Sequence, residues 1–89
     1  MRTLAINNLD ESDGFVHIVR GRCINGSVVQ NSVLHMGDVE FNVDLLITYA
    51  GEVPEVVTGL TCIVHLRSGS HVDMNKILSE SSILYLEDM

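Results

Sequence analysis

The sequence predicts an all-β domain built as a small closed or partly open antiparallel barrel with Greek-key connections. Three observations carry this prediction: short runs rich in Val, Ile and Leu, turn residues at close spacing between them, and no window that keeps a helical period for ten residues. Closure protects the edges of so small a sheet, which favours a barrel over a sandwich. The 89 residues suffice for one domain, and we assign all of 1–89 to it.

The first strands are marked by alternation and by turn residues. "RTLAIN" places Leu4 and Ile6 on one face, and the later Asp13-Gly14 pair predicts a turn. "FVHIVRGRCI" is a β-branched, alternating strand with Gly21 in its middle. A glycine inside a strand indicates a bulge, a tight bend or a close backbone approach, and the sequence leaves these three alternatives open.

Three turns are predicted in the next stretch. Asn25-Gly26 between β-rich runs predicts a type I′ hairpin to the short strand "SVV". A second turn is predicted at 30–32, because Asn31 is the non-glycine residue best suited to a left-handed φ. Gly37-Asp38, after "VLHM", predicts the third.

"VEFNVDLLITY" shows the clearest period of two in the chain. Alternating apolar and polar residues are typical of an antiparallel strand with one face on the core and the other in water. The residues predicted to face inward are Val39, Phe41, Val43, Leu45 and Ile47, and those predicted to face outward are Glu40, Asn42 and Asp44.

The last part of the chain is predicted as a loop, two strands and a polar connection. "AGEVPEVVTG", with the only proline, is predicted as a loop, and "LTCIVHLR" as a strand with Cys62, Val64 and Leu66 on one face. "SGSHVDMNK" is predicted as a polar loop with one helical turn. A last strand is expected from about Ile83 to Leu86, and the final "EDM" is expected to fray.

The chain is acidic, with 12 Asp and Glu against 5 Lys and Arg and a formal charge of −7. Such a surface repels phosphate backbones and anionic membranes, so we expect no direct nucleic-acid contact and no membrane contact. Two Phe, two Tyr and no Trp are too few for a platform that stacks bases. The partner that this charge favours is a basic protein, and plain solubility is the alternative explanation.

The two cysteines, Cys23 and Cys62, lie in apolar strand-like runs. A disulfide scaffold this short normally carries four or more cysteines, so we expect reduced, buried thiols and a cytoplasmic protein. The first ten residues lack the apolar stretch of a signal peptide, and no run approaches the roughly 18 apolar residues of a membrane span.

Several features occur in an order that is typical of one known family. The chain carries a Gly-Arg-Cys strand end at 21–23, a glycine turn at 26, a short strand at 27–29, "PEVVTG" at 54–59, the apolar strand "CIVHL" at 62–66 and "NKIL" at 75–78. This order resembles the second domain of translational GTPases, the β-barrel of elongation factor Tu and its relatives. Asn31 and Asn75 stand where the family has glycine, and asparagine tolerates the same left-handed backbone. The resemblance covers about residues 12–86.

The resemblance implies the barrel fold of that domain and, by its role in the family, a contact with tRNA ends or with the ribosome. The chain lacks a Gly-x-x-x-x-Gly-Lys-Ser/Thr loop, so we expect no GTP binding by that route. The charge of −7 argues against RNA contact, and the family's pocket residues are not assigned to positions of this sequence.

The side chains that could carry chemistry form no motif. His17, His35, His65 and His71 lie on three predicted strands and one loop without ligand spacing, so we expect surface or half-buried histidines and no metal centre. A thiol pair of Cys23 with His17 or His65 is outweighed by packing, because both cysteines sit among Val and Ile. We expect no cofactor and no catalytic residue.

These observations predict a non-enzymatic protein-binding module on a translation-factor-like barrel. The predicted contact residues are Glu40, Asp44, Glu52 and Glu55, since complementary charge speeds encounter with a basic partner. Two versions stay open: an inhibitor or immunity protein that covers a basic toxin, and an accessory protein that docks on a larger translation or assembly factor.

Two other hypotheses compete with this one. A small-ligand-binding or catalytic barrel would use His65, His71 and Arg67 near one end, and it requires a concave pocket that holds at least two of them. A homo-oligomer would form through an open edge of the barrel.

Overall fold

A computed structural model describes residues 1–88 of the chain, and these form nine strands and one helix. The strands are β1 (Thr3–Ser12), β2 (Val16–Asn25), β3 (Ser27–Val29), β4 (Val33–Met36), β5 (Val39–Thr48), β6 (Gly51–Val53), β7 (Glu55–Val57), β8 (Thr61–Ser68) and β9 (Leu84–Glu87). The helix is α1 (Met74–Glu80). Met89, which belongs to the segment predicted to fray, lies outside the described residues.

Six of the strands close into a barrel. Each pairs antiparallel with two neighbours in the cyclic order β1, β2, β8, β5, β4, β9 and back to β1. β4, β5 and β8 are neighbours in this order, and β9 returns after the connection through α1 to lie beside β4, as the fourth strand of a Greek key does. β6 pairs with β5 outside the ring, and β3 pairs with β7 as a separate ribbon. The predicted all-β class and the closed antiparallel barrel are confirmed.

The core lies inside the ring and follows the alternation of β2 and β8. Val19 faces Val64 across this pair, Gly21 faces Cys62, and the residues between them point outward. The side chains predicted to face inward on β1 and β8 are buried: Leu4, Ile6, Cys62, Val64 and Leu66.

β5 changes its inward face at a bulge. Its pairing with β8 shifts register between Val43 and Leu45, so Asp44 adds one residue to this strand. Beyond the bulge Leu46 is the buried residue, and Leu45 and Ile47 point outward. The prediction that Leu45 and Ile47 face the core is wrong, because a shift of one residue exchanges the two faces of a strand.

Gly21 sits where two strand backbones come close together. A Cβ atom at this position would overlap the carbonyl oxygen of Ala5 on β1. The β1–β2 pairing also shifts register between Ile6 and Asn8, next to the pair of Ile6 with Gly21. Of the three alternatives for this glycine, the close backbone approach is found.

The hairpin predicted at Asn25-Gly26 is wrong. Gly26 has a φ of 67°, but Asn25 does not have a positive φ, and the following strand β3 pairs with β7 instead of β2. Gly26 therefore turns a corner between the barrel and the ribbon. The other two turns are confirmed: Asn31 has a φ of 68°, and Gly37, with a φ of 60°, opens the two-residue turn between β4 and β5.

The segment predicted as a loop around Pro54 contains two strands, so that prediction is wrong. Gly51–Val53 forms β6 and Glu55–Val57 forms β7, one on each side of the proline. The carbonyl of Pro54 accepts a hydrogen bond from the Gln30 N–H at 2.9 Å, which ties this corner to the end of β3. Three residues are too few to show a period of two, so the pattern could not reveal either strand.

The helix α1 covers one end of the barrel. It begins in the predicted polar loop and extends beyond it, for seven residues in all. The Asp73 side chain caps the helix by accepting a hydrogen bond from the Lys76 N–H at 3.1 Å. Val72 and Met74, just before and at its start, are buried against the core. Within residues 1–88, no helix has the length and the hydropathy to cross a membrane.

The last strand is found one residue later than predicted. Glu87 pairs with Thr3 on β1, and the Asp88 N–H donates to the Arg2 carbonyl at 3.0 Å. The prediction that Glu87 and Asp88 fray is wrong, because β1 and the residue before it hold them. Glu87 also pairs with His35, and this single pair joins β9 to β4 and closes the ring.

Candidate functional site

The outer surface of β2, β8 and β5 carries four apolar side chains and one histidine in two neighbouring rows. The strand register places His65 between Ile18 and Leu45. In the neighbouring row, Ile63 lies opposite Ile47. All five side chains are half-buried. Directly paired side chains have Cβ atoms about 5 Å apart, so these five form one continuous surface, termed here the outer wall.

Polar and aromatic residues border the outer wall. Arg20 pairs with Ile63 from the β2 side, and Glu52 pairs with Ile47 from the β6 side. Tyr49, in the turn between β5 and β6, is 95% exposed. A depression of about 270 Å³ runs along this border. Its lining consists of Arg20, Ile47, Thr48, Tyr49, Thr61, Cys62 and Ile63.

Two ion pairs flank the same strands. Arg20 Nε lies 2.9 Å from Asp10 Oδ2, and Arg67 Nε lies 3.1 Å from Asp44 Oδ2. A second bond joins Arg67 Nη2 to Asp44 Oδ1 at 3.2 Å, and hydrogen bonding to this carboxylate raises the pKa of Arg67. Exposed pairs contribute little to stability, so their main effect is to neutralise two acids beside the outer wall.

The four acidic residues predicted to contact a partner do not form one patch. Asp44 and Glu52 border the outer wall, whereas Glu40 lies near the start of β5 and Glu55 is exposed on β7. Glu52 stands opposite Ile47. The stretch of β5 from Glu40 to Ile47 spans about 23 Å at about 3.3 Å per residue. A partner that binds the outer wall would therefore contact Asp44 and Glu52 more readily than Glu40 and Glu55.

His65, His71 and Arg67 do not share a depression, although His65 and Arg67 are neighbours on the outward face of β8. His65 belongs to the outer wall. Arg67 lines an acidic depression of about 430 Å³, together with Asp38, Glu40, Asn42, Ser68, Gly69 and Ser70. His71 lines a different depression of about 290 Å³, between the β1–β2 turn and the start of α1. Neither depression holds two of these three side chains, so the structure does not favour a ligand site built from them.

A buried histidine lies at the end of the barrel that α1 covers. His17 Nδ1 is 2.7 Å from Ser12 Oγ, and His17 Nε2 is 2.9 Å from Ser68 Oγ. The Phe41 ring packs edge-on against the imidazole, with 5.8 Å between centroids. The hydrogen-bonded residues Ser12, His17 and Ser68 are termed the histidine bridge. The expectation of a surface or half-buried side chain is wrong for His17, which is fully buried. The signal in the sequence is that His17 lies two residues before Val19 on an alternating strand, so both side chains point to the same face.

The neutral ring of His17 has one N–H and one nitrogen that accepts, and both of its tautomers complete the bridge. With the proton on Nε2, that nitrogen donates to Ser68 Oγ, the Ser68 hydroxyl can donate to the carbonyl of Phe15 or Gly14 at 3.4 or 3.5 Å, and Nδ1 accepts from the Ser12 hydroxyl. With the proton on Nδ1, that nitrogen donates to Ser12 Oγ and Nε2 accepts from the Ser68 hydroxyl. In either form one ring nitrogen accepts a serine hydroxyl. The Ser12 oxygen in turn accepts the Gly14 N–H at 3.1 Å.

Burial favours the neutral form of this imidazole. Desolvation is the main cause that lowers the pKa of His17, the Asp13 carboxylate opposes it, and the charge of His71 adds to it. Asp13 is itself bound to the amides of Val16 and Phe15, at 2.8 and 2.9 Å. These two bonds hold the pKa of Asp13 below its ordinary value.

The histidine bridge has the spacing of a nucleophile and its base, since Ser12 and His17 share a short hydrogen bond. An acyl-transfer site also needs donors for the developing oxyanion. The amides of residues 14–16 are all bonded to side chains of the turn, so none of these three is available. The bridge therefore holds the turn to β8, and the three amides beside it are not free to bind an oxyanion.

The two cysteines pack in the core as free thiols. Both are buried, and Cys23 Sγ lies 3.4 Å from the Gly26 carbonyl oxygen. Burial, with a smaller effect of Cys23, raises the pKa of the Cys62 thiol to about 11. The predicted burial is confirmed, and a thiol with so high a pKa is a poor nucleophile. Within residues 1–88, no three His, Cys, Asp or Glu side chains converge to hold a metal ion.

The chain matches no protein-family model, no curated protein and no solved structure. The class of protein therefore follows from the fold alone. It is a closed six-stranded antiparallel β-barrel with a half-buried apolar surface on its outside.

Proposed function

We propose that this protein is a non-enzymatic protein-binding module whose contact surface is the outer wall. The observation that carries the proposal is the group of four half-buried apolar side chains around His65 on the solvent side of β2, β8 and β5. A contiguous apolar surface on the outside of a small domain marks a binding site more often than isolated apolar residues do. The occupant that we propose is a basic protein with an apolar patch of its own.

The composition of the surface supports a protein partner. Protein interfaces combine an apolar centre with a polar rim, and Tyr and Arg are frequent anchors within them. The outer wall places Ile47 and Ile63 at its centre, with Tyr49, Arg20 and Glu52 at its border. Covering these side chains would remove apolar area from water while the charged border stays hydrated.

The charge of the chain supports a basic partner. The net charge of −7 produces a field that speeds encounter with a positively charged protein, and the apolar wall then provides the contact. Asp44 and Glu52 take part as border residues in this arrangement. Glu40 and Glu55 act at longer range, through the field alone.

The resemblance to the second domain of translational GTPases supports the same proposal, because that barrel works through contacts with larger assemblies. Two versions share the outer wall: an inhibitor or immunity protein on a basic toxin, and an accessory on a larger factor. A toxin such as a nuclease would lose its activity in the complex. A translation or assembly factor would keep its activity when the barrel docks.

The test compares two substitutions on strands that face each other across the barrel. Ile63→Asp introduces a charge into the outer wall on β8, and Tyr85→Asp introduces one at a half-exposed site on β9. Wild type and both variants are used to capture proteins from native lysate at low salt, and the affinity for each captured protein is then measured. Circular dichroism checks that both variants fold.

We expect basic proteins to bind wild type and Tyr85→Asp, and binding to Ile63→Asp to be weaker by about tenfold or more. Equal binding by the two variants, or a captured set without basic proteins, would contradict the proposal. Inhibition of a captured enzyme by wild type, absent with Ile63→Asp, favours the inhibitor version over the accessory.

A further inference from the structure

We propose that the histidine bridge is a pH-sensitive latch. When His17 takes up a second ring proton, the β1–β2 turn separates from the segment that joins β8 to α1, and this end of the barrel opens. The latch is independent of the outer wall and of any partner. It concerns residues 12–17 of the turn and residues 68–74, which include the connecting segment 69–73.

The latch joins parts of the chain that are far apart in sequence. His17 lies 51 residues from Ser68, and their side chains are bonded in the buried interior. Two backbone bonds run beside this contact. The Ser68 N–H donates to the Phe15 carbonyl, and the Val72 N–H donates to the Gly14 carbonyl, both at 2.8 Å. The side-chain bridge and these two bonds hold the turn and the connecting segment together.

The connecting segment depends on this attachment. It carries Val72, which is 6% exposed, and leads directly to Met74, which is 1% exposed. The helix that follows has seven residues, and isolated helices shorter than about 12–15 residues are marginal in water. The segment and α1 therefore keep their position through contacts with the rest of the barrel, and the attachment to the turn is one of these contacts. Release from the turn would uncover Val72 and Met74.

A second ring proton removes an acceptor from the bridge. In the closed structure one ring nitrogen of His17 accepts a hydroxyl, from Ser12 or from Ser68, and protonation turns that nitrogen into a donor. That hydroxyl then loses its acceptor while a positive charge is confined beside the Phe41 ring of β5. Both changes are costly in a buried site, and both are relieved when water reaches the ring.

The charged groups around the ring compensate for this cost only in part. In the turn, the Asp13 carboxylate favours the protonated ring, but it is already bonded to two amides. In the connecting segment, Asp73 caps α1, and a protonated His71 repels the charged ring. On the strands, Glu11 is exposed on β1, and Arg67 is exposed and ion-paired on β8.

The direction of the pH effect follows from where the proton binds more tightly. Burial lowers the pKa of His17 in the closed structure, and an open, hydrated ring has the ordinary value of about 6.5. The open form therefore binds more protons below about pH 6.5, so acid favours opening. The opening equilibrium rises by up to about tenfold per pH unit, until the pH reaches the pKa of the closed structure.

The experiment measures hydrogen exchange of single amides by NMR at pH 7.5, 6.5 and 5.5, expressed as protection factors. The amides of Ser68 and Val72 report on the latch. The Val43 amide, bonded to the Ser32 carbonyl at 2.9 Å, reports on the rest of the barrel. We expect protection of the two latch amides to fall by up to about tenfold per unit below about pH 6.5, and protection of Val43 to stay constant.

Two histidine variants make the test specific. His17→Gln keeps a side chain that donates and accepts but cannot be protonated, so its latch amides should lose the pH dependence. His35→Gln, on β4 opposite Glu40, is the matched control and should behave as wild type. His71→Gln removes a repelling charge and so raises the pKa of His17 in the closed structure toward that of the open ring, which should make the total loss of protection smaller.

A wild-type measurement keeps the test valid if His17→Gln fails to fold. The ring carbon shifts of His17 should titrate below about pH 6.5, and the loss of protection at Val72 should begin near pH 6.5 and level off where the ring titrates. The proposal is overturned by a His17 that titrates at or above the ordinary value. It is also overturned by latch amides that stay protected while the ring titrates, or by a parallel loss at Val43.

Discussion

Gly21 on β2 lies so close to the Ala5 carbonyl of β1 that a Cβ atom on the glycine would overlap the oxygen. The φ of Gly21 is not positive, so the backbone conformation itself would accept any residue. A glycine is needed at position 21 because the Ala5 carbonyl on the paired strand leaves no room for a side chain. The next register shift of β1, between Ile6 and Asn8, lies beside this contact.

Replacing Gly21 by alanine should therefore destabilise the barrel. Because the obstacle is a backbone oxygen, which cannot rotate away, we expect the free energy of unfolding to fall by about 1–3 kcal/mol. The control is Gly69→Ala, at a site with open space around the added Cβ, which should change it by about 0.5 kcal/mol or less. Urea denaturation measures both, and a Gly21→Ala variant as stable as Gly69→Ala would refute the close approach.

The bulge at Asp44 gives two adjacent leucines opposite environments. Leu46→Ala removes a fully buried side chain and should lower the free energy of unfolding by about 2–5 kcal/mol. Leu45→Ala truncates a half-buried side chain of the outer wall and should cost about 1 kcal/mol or less. Denaturation of the two variants side by side measures the difference in their free energies of unfolding. A larger loss for Leu45→Ala than for Leu46→Ala would contradict the bulge and would mean that β5 alternates without interruption.

Asn31 should tolerate glycine better than alanine. Its φ of 68° is in the left-handed region, which costs an alanine roughly 1–2 kcal/mol and costs glycine little. The turn is held by the Asn31 N–H, which donates to the Val43 carbonyl at 2.7 Å, a bond that both variants keep. Thermal unfolding should therefore rank Asn31→Gly near wild type and above Asn31→Ala. Equal melting temperatures for the two variants would contradict a left-handed turn.

The thiol of Cys62 should react slowly in the folded protein. Its pKa of about 11 lies two units above the ordinary thiol value of 9.0. At pH 8 this lowers the thiolate fraction about a hundredfold. Alkylation in native and in denaturing buffer, followed by mass spectrometry of the Cys62 peptide, measures the ratio. Similar rates in the two buffers would mean that this thiol is accessible.

The strands outside the ring should resist pairing with a second copy. β6 and β7 have three residues each, flank Pro54 and carry the exposed Glu52 and Glu55, which are features that block edge pairing. A variant with both Glu52→Val and Glu55→Val should self-associate, and light scattering should show a higher mass than for wild type. The control is Glu40→Val, on a strand paired on both sides. A mass increase for Glu40→Val but not for the double variant would contradict the claim that Glu52 and Glu55 prevent edge pairing.

The strands with long, regular alternation could be predicted from the sequence. The inward residues of β8 and the first half of β5 follow a period of two that is set by local chain geometry. The extra residue at Asp44 leaves no mark in composition, because Leu45, Leu46 and Ile47 are all apolar. Its effect appears only in the pairing of β5 with β8.

Features that depend on distant partners could not be predicted. Asn25-Gly26 has the residues of a hairpin, yet β3 pairs with β7, and the choice is made by chain far ahead in the sequence. The alternation of β2 indicates that His17 points inward, but its partner Ser68 is 51 residues away. The outer wall was not predicted for a related reason, since it exists only where three strands from separate parts of the chain lie side by side.

The position of β9 has a consequence for how the barrel forms during synthesis. β9 is the last strand of the described residues, yet it lies between β1 and β4, and one residue pair joins it to β4. β1 leaves the ribosome before β9 does and therefore waits with one edge uncovered until β9 arrives. Pairing between such distant segments is slow, so the nascent chain would pass through a period in which other proteins can reach the unpaired edge of β1.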